Sequence, residues 1–159
     1  MKLVDTKEAV QGATVEYVTV NIGDQLFGIP IERAHDVFMP ESITIVPMSA
    51  PEIAGVLNLR GRIVTAIDMR RRLELPPAGE DGARMAVGIE YKGEFFGLII
   101  DSVGEVLRLP ETDLEQNPMN LDPRWVKVSG GVYRLEGALM IVLDVDRVLD
   151  TKAGFSIAA

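Results

Sequence analysis

The chain has 159 residues, 47% of them hydrophobic, enough to bury a core as one domain or two small ones. A formal charge of −8 disfavours nonspecific nucleic-acid binding and argues for a soluble protein. With no cysteine there is no disulfide, Cys-ligated metal or thiol chemistry, which fits a reducing compartment. The longest apolar runs, such as Ala138 to Leu143, fall far short of the roughly 20 residues that cross a bilayer. The N-terminus lacks a basic region followed by an apolar stretch, so no signal peptide is expected.

Residues 1–14 are mixed and small and read as a flexible tail, and 151–159 are taken as a C-terminal tail. From Glu16 to Ile22 the sequence alternates as a half-buried strand does, Gly23-Asp24 supplies a turn, and Gln25 to Ile31 returns. Glu32 to His35 is read as one helical turn, Asp36 to Met39 as extended, and Ile43 to Val46 as a short strand before Pro47. Pro51 to Ala54 is a short turn or helix leading into Gly55-Val56-Leu57-Asn58-Leu59-Arg60-Gly61-Arg62-Ile63-Val64-Thr65-Ala66-Ile67-Asp68. That stretch reads as two apolar segments meeting at a glycine corner. Asp68 then caps a short basic helix, Met69 to Leu73, by accepting from its free first-turn amides. Pro76 to Ala83 is a natural hinge. Beyond it, Met85 to Tyr91, a Lys92-Gly93 turn and Glu94 to Ile100 form a second hairpin, and Pro110 to Arg124 a longer connection. A C-terminal helix is expected near Asp144 to Asp150.

The chain repeats itself. Gly55, Val56, Leu59, Gly61, Asp68, Arg71 and Leu73 recur 76 positions on as Gly131, Val132, Leu135, Gly137, Asp144, Arg147 and Leu149. Upstream, Val18, Phe27, Gly28, Ile31 and Val37 recur 69 positions on as Val87, Phe96, Gly97, Ile100 and Val106, and Asp36 meets Glu105. A doubled unit of about five short strands hides its edges best by curling, with Gly28 and Gly97 as bending points. The fold class is therefore mainly all-β, two small five-stranded barrels side by side with short helices including a C-terminal one. A single larger β-sandwich is the alternative.

Catalytic signals are poor. His35 is the one histidine, no serine sits in a Gly-x-Ser-x-Gly turn, and no Gly-rich phosphate loop is present. The Asp144-x-Asp146 pair lacks calcium-loop spacing and is better explained by helix capping. An enzyme is not supported, and no metal or cofactor is expected. Arg60, Arg62, Arg70, Arg71 and Arg72 form a basic cluster in an acidic chain. It is either a solvated helix face with one internal ion pair or a docking surface for an acidic or polar partner. The matched corners differ, Asn58-Leu59-Arg60-Gly61 against Arg134-Leu135-Glu136-Gly137, which is either drift or two faces for different partners. Asp36 is a plausible ion partner for Arg60.

Phe27-Gly28-Ile29-Pro30-Ile31 leading to Asp36-Val37, then Gly55 to Gly61 and Ile67-Asp68-Met69-Arg70, resembles the bacterial chemotaxis coupling protein family CheW, over about Glu16 to Leu149. The resemblance implies two interlocked SH3-like barrels within residues 15–150, spanning about 15–75 and 84–150 and exchanging strands. It also implies a cytoplasmic, non-catalytic adapter that ties methyl-accepting chemoreceptor tips to the regulatory domain of the histidine kinase CheA in membrane-associated arrays. Self-association in rings is part of that expectation; nucleic acid and membrane insertion are not. Carried over by position, the receptor-facing surface comprises Ala34, Asp36, Val37, Gly55, Asn58, Leu59, Arg60 and Gly61. Family members commonly carry Glu where this chain has Asp36. Trp125 to Gly131 is longer than usual, so no contact residues are carried over there, and the kinase-contacting surfaces, on the barrel ends, are left unassigned. The open alternatives are a small-ligand or catalytic β-barrel, and the same adapter in a pilus-motility or other chemosensory pathway.

Overall fold

The computed structural model describes residues 13–79 and 84–150. Most of residues 1–14, all of 151–159 and part of the Pro76–Ala83 hinge therefore lie outside the described residues. The strands are β1 (Thr14–Ile22), β2 (Gln25–Pro30), β3 (Asp36–Phe38), β4 (Ile53–Leu59), β5 (Arg62–Asp68), β6 (Met85–Tyr91), β7 (Glu94–Ile100), β8 (Ser102–Pro110), β9 (Ser129–Leu135) and β10 (Ala138–Leu143). Among the described residues, three short α-helices, α1 (Met69–Arg72), α2 (Pro123–Val126) and α3 (Val145–Leu149), and one 3-10 turn at Glu111–Asp113 join them.

These strands form two five-stranded sheets, in the orders β8-β1-β2-β10-β9 and β3-β6-β7-β5-β4. The hairpin β1–β2 from the first repeat sits among strands of the second repeat, and β6–β7 sits among strands of the first. Each visiting hairpin docks through a parallel pair, Ile141 beside Phe27 and, at the matched positions, Thr65 beside Phe96.

Each sheet curls until its edges nearly meet. Thr44, downstream of β3, exchanges two backbone hydrogen bonds of 2.8 Å with Val56 on β4. Glu115, downstream of β8, does the same with Val132 on β9, at 2.8 and 2.9 Å. These closures explain why Gly55 recurs as Gly131. Both have positive φ, and a Cβ on Gly55 would lie 2.3 Å from the Thr44 carbonyl oxygen, one on Gly131 2.9 Å from that of Glu115.

Alternation along the strands sorts the apolar residues into three clusters. Phe38, Leu57, Val64, Ala66, Ala86 and Ile99 fill the barrel of β3–β7. Tyr17, Tyr133, Met140 and Val142 fill the other barrel. The largest cluster lies between them and draws on both sheets and on α1 and α3, including Phe27, Ile29, Ile67, Leu98, Ile141 and Val148. A short strand with both faces apolar thus serves two cores at once.

Two local expectations need correction, and a third is narrowed. Ile43–Val46 is not a strand, because Pro40 and Pro47 remove donors at both ends and Ser42 and Met48 take positive φ, leaving only Thr44 in register. Pro51–Ala54 gives only a turn at Pro51–Glu52, since burial of Ile53 in the shared core draws the chain into β4. Glu32–His35 is not a helical turn. After a turn at Ile31–Arg33 the His35 amide donates to Gly88 of β6 at 2.9 Å, which starts strand pairing. By contrast, Asp68 and Asp144 cap α1 and α3, accepting from Arg70 and Arg71 N–H and from Arg147 N–H respectively.

A polar joint centred on Asp101 crosses between the barrels. The Arg70 guanidinium grips both Asp101 carboxylate oxygens, Nε at 2.9 Å and Nη2 at 2.6 Å, while the Gly23 amide of the β1–β2 turn donates to Asp101 at 2.9 Å. Burial alone would raise the Asp101 carboxyl, but the Arg70 and Gly23 hydrogen bonds outweigh it and hold it below the usual carboxylate range. A depressed folded-state pKa stabilises above the unfolded value of about 4 and loses that contribution as pH falls through the folded value. Urea midpoints measured from pH 6 to below pH 3 should therefore fall, and Asp101→Asn should lower stability at pH 6 while flattening the acid limb.

Candidate functional site

The hairpin β4–β5 turns on two residues, with Leu59 opposite Arg62 and both Arg60 (φ +52°) and Gly61 (φ +84°) left-handed, as a type I′ turn requires. The Asn58 side chain locks it, its Oδ1 accepting from the Gly61 amide at 3.0 Å. The sister hairpin also has a two-residue loop, but there only Gly137 is left-handed. The two corners therefore project their charged residues differently.

Arg60 reaches across the barrel end to Asp36 at the start of β3, its Nη1 donating to Oδ2, while Oδ1 accepts from the Val37 amide at 2.9 Å. Asp36 lies opposite Gly88, and its Cβ would be 3.3 Å from a Cβ built there. Behind this pair opens a cleft of about 390 Å³ into the β3–β7 barrel, floored by Phe38, Leu59, Val64 and Phe95. The Arg62 guanidinium stacks 4.2 Å above the Phe95 ring at its edge.

Of the eight residues singled out in sequence, Asp36, Asn58, Leu59, Arg60 and Gly61 gather at this mouth. Val37 lies beside them on the outer face of β3, 40% exposed. Ala34 is half-buried against the shared core, and Gly55 is buried beneath the closing segment at Ile43–Thr44. Arg62 of the basic cluster also stands here, with Phe38, Phe95 and Gly88, which lie outside the eight; in the sequence the Phe95-Phe96 pair beside the in-strand glycines Gly88 and Gly97 is the signal that points to them.

The basic cluster does not act as one surface. Arg70 is committed to Asp101, Arg71 donates to the Pro51 carbonyl at 3.2 Å, and Arg72 donates to the Val148 and Arg147 carbonyls at 3.0 and 3.1 Å, capping α3. The tight grouping in sequence is dispersed because α1 packs between the barrels. Among the described residues, no group of three or more His, Asp or Glu is placed to hold a metal ion. No described helix is long and apolar enough to cross a membrane.

A family model described as the CheW-like domain matches residues 16–153. The chain belongs to the CheW-like family. Among curated relatives, it is 26% identical to the chemotaxis protein CheW of Treponema pallidum, covering 91% of this chain and 87% of that one. It is 28% identical to the CheW of Thermotoga maritima, covering 85% and 87%, and 27% identical to protein FrzA of Myxococcus xanthus, covering 67% of each. The fold matches the crystal structure of the scaffolding protein TtCheW from Thermoanaerobacter tengcongensis with a TM-score of 0.79 at 25% identity, covering 90% of this chain and 92% of that one.

The Arg60 side chain is 70% exposed and that of Asp36 27%, so this CheW-like corner is held by its turn rather than by its ion pair. Arg60→Asp suits the left-handed backbone and should change unfolding free energy by no more than about 1 kcal/mol, measured by urea titration. A markedly larger loss would make Arg60 a structural residue.

Proposed function

We propose that the chain is a non-catalytic chemotaxis adapter that couples methyl-accepting chemoreceptors to the histidine kinase CheA in signalling arrays. The supporting observation is the exposed Asp36–Arg60 corner on a rigid, Asn58-locked hairpin in a chain of the CheW-like family. In this reading Asp36, Val37, Asn58, Leu59, Arg60 and Gly61 meet the receptor tip, with Ala34 and Gly55 shaping the backbone beneath them. The regulatory domain of CheA takes a separate face, and copies associate in rings at the cytoplasmic side of the receptor membrane.

An adapter needs two separable surfaces and no reaction. Each contact can be of modest area, because holding several together in a lattice raises their effective concentration. Apolar strand surface supplies affinity, while Arg60 and its neighbours set register and partner choice.

Purified protein mixed with a receptor signalling fragment and CheA should form a ternary complex with receptor-dependent kinase activity. Arg60→Asp should retain the fold and lose that dependence by about tenfold or more. Failure of the wild-type protein to form the complex, together with a bound metabolite in native mass spectrometry, would favour a ligand-binding barrel instead.

A further inference from the structure

The two barrels have the same backbone but unequal filling. In the β8-β1-β2-β10-β9 barrel, Tyr17 and Tyr133 meet edge-to-face at 5.4 Å with their hydroxyls 3.2 Å apart. The Met140 methyl lies over Gly28, 2.6 Å from where a Cβ would stand. At the matched positions of the β3–β7 barrel stand Ala86 for Tyr17, Leu57 for Tyr133, Val64 for Met140 and Gly88 for Thr19. Every one of these is smaller, and two of them, Val64 and Gly88, line the cleft of about 390 Å³ behind Arg60, although Phe38 and Phe95 on its floor are larger than their counterparts Leu107 and Leu26.

That cleft has a consistent chemistry. Its floor of Phe38, Val64 and Phe95 is apolar, and a volume of this size accepts one large side chain or small ring compound. At its rim Arg60 is matched by Asp36, whereas Arg62, stacked on Phe95, has no carboxylate partner among the described residues. The rim thus carries one uncompensated guanidinium in a chain of net charge −8.

We propose that the mouth of the β3–β7 barrel is a socket for a large apolar side chain adjacent to a carboxylate, presented by an acidic segment of the partner that docks on the Asp36–Arg60 corner. The apolar group enters against Phe38, Val64 and Phe95, and the carboxylate pairs with Arg62. This rests on the adapter reading, and adds that recognition there is by insertion into a barrel rather than by surface contact alone.

The sister barrel supplies the plug. Val64→Met introduces the side chain already present as Met140; Val64 lines the cleft, so the longer side chain extends into it, while the space over Gly97 is held by Phe38, 3.0 Å from where a Cβ would stand. Val64→Met should melt like the wild type and bind the receptor signalling fragment about tenfold or more weakly; equal binding would overturn the socket while leaving the adapter role standing. Independently, titration of the wild-type protein with acetyl-Phe-Glu-amide should shift the Val64 methyl and Phe95 ring resonances saturably, and acetyl-Phe-Lys-amide should not. Equal shifts for both peptides, or none for either, would contradict the proposal, whether or not the receptor fragment binds. If Val64→Met does not fold, Arg62→Glu on the exposed rim takes its place, with the same loss expected.

Discussion

The apolar layer between the two sheets is the constraint on which the rest of the structure depends. A five-stranded barrel of this size encloses only a handful of side chains, too few to offset the ordering of its own backbone. Phe27, Ile29, Ile67, Leu98 and Ile141 lie in the shared cluster, buried by the opposite sheet together with α1, α3 and Trp125. Exchange of the β1–β2 and β6–β7 hairpins makes that cover compulsory, since each sheet is completed by strands from both repeats. The Arg70–Asp101–Gly23 joint and the Arg72 contacts to α3 then fix the angle between the barrels with directional bonds.

With the frame held from the middle, the outer ends of the barrels are free to differ. The closures at Thr44–Val56 and Glu115–Val132 keep the same backbone path in both, and Gly55 and Gly131 permit the close approach. On that common path one end carries Arg60 paired across the mouth to Asp36. The other carries Glu136, with Arg134 paired to Glu115 on the closing segment at 2.9 Å. One barrel is packed with Tyr17, Tyr133 and Met140, where burial and the neighbouring Tyr133 hydroxyl push the Tyr17 phenol above its usual range. The other is left open. Duplication followed by divergence at the ends is a simple way for a small protein to acquire unlike surfaces without altering its core.

What the sequence made legible is what backbone geometry demands at fixed positions. The strand alternation, the Lys92-Gly93 and Arg60-Gly61 turns, the Asp68 and Asp144 caps and the paired glycines all recur at the offsets that the repeat sets. The hairpin exchange was not derivable from that pattern, because β1–β2 and β6–β7 carry nearly the same pattern and either could complete either sheet. Ile43–Val46 misled because composition favours a strand where flanking prolines and two positive-φ residues forbid one. The arginines misled for a different reason: Arg60 and Arg70 look alike in sequence, yet one is exposed and the other is clamped by an aspartate 31 residues away. The open mouth is not legible in the repeat, because the matched residue sizes do not say how far Phe38 and Phe95 reach across the barrel or where Arg60 and Arg62 stand at its rim.

If the shared layer holds both barrels, they must open together. Native-state amide hydrogen exchange across a denaturant series, read strand by strand, tests this directly. Amides of β1 and β2 in one sheet and of β5 and β7 in the other should converge on a single opening free energy and denaturant slope equal to those of global unfolding. Opening of the β3–β7 sheet at a clearly lower free energy, with the other sheet still protected, would contradict the account.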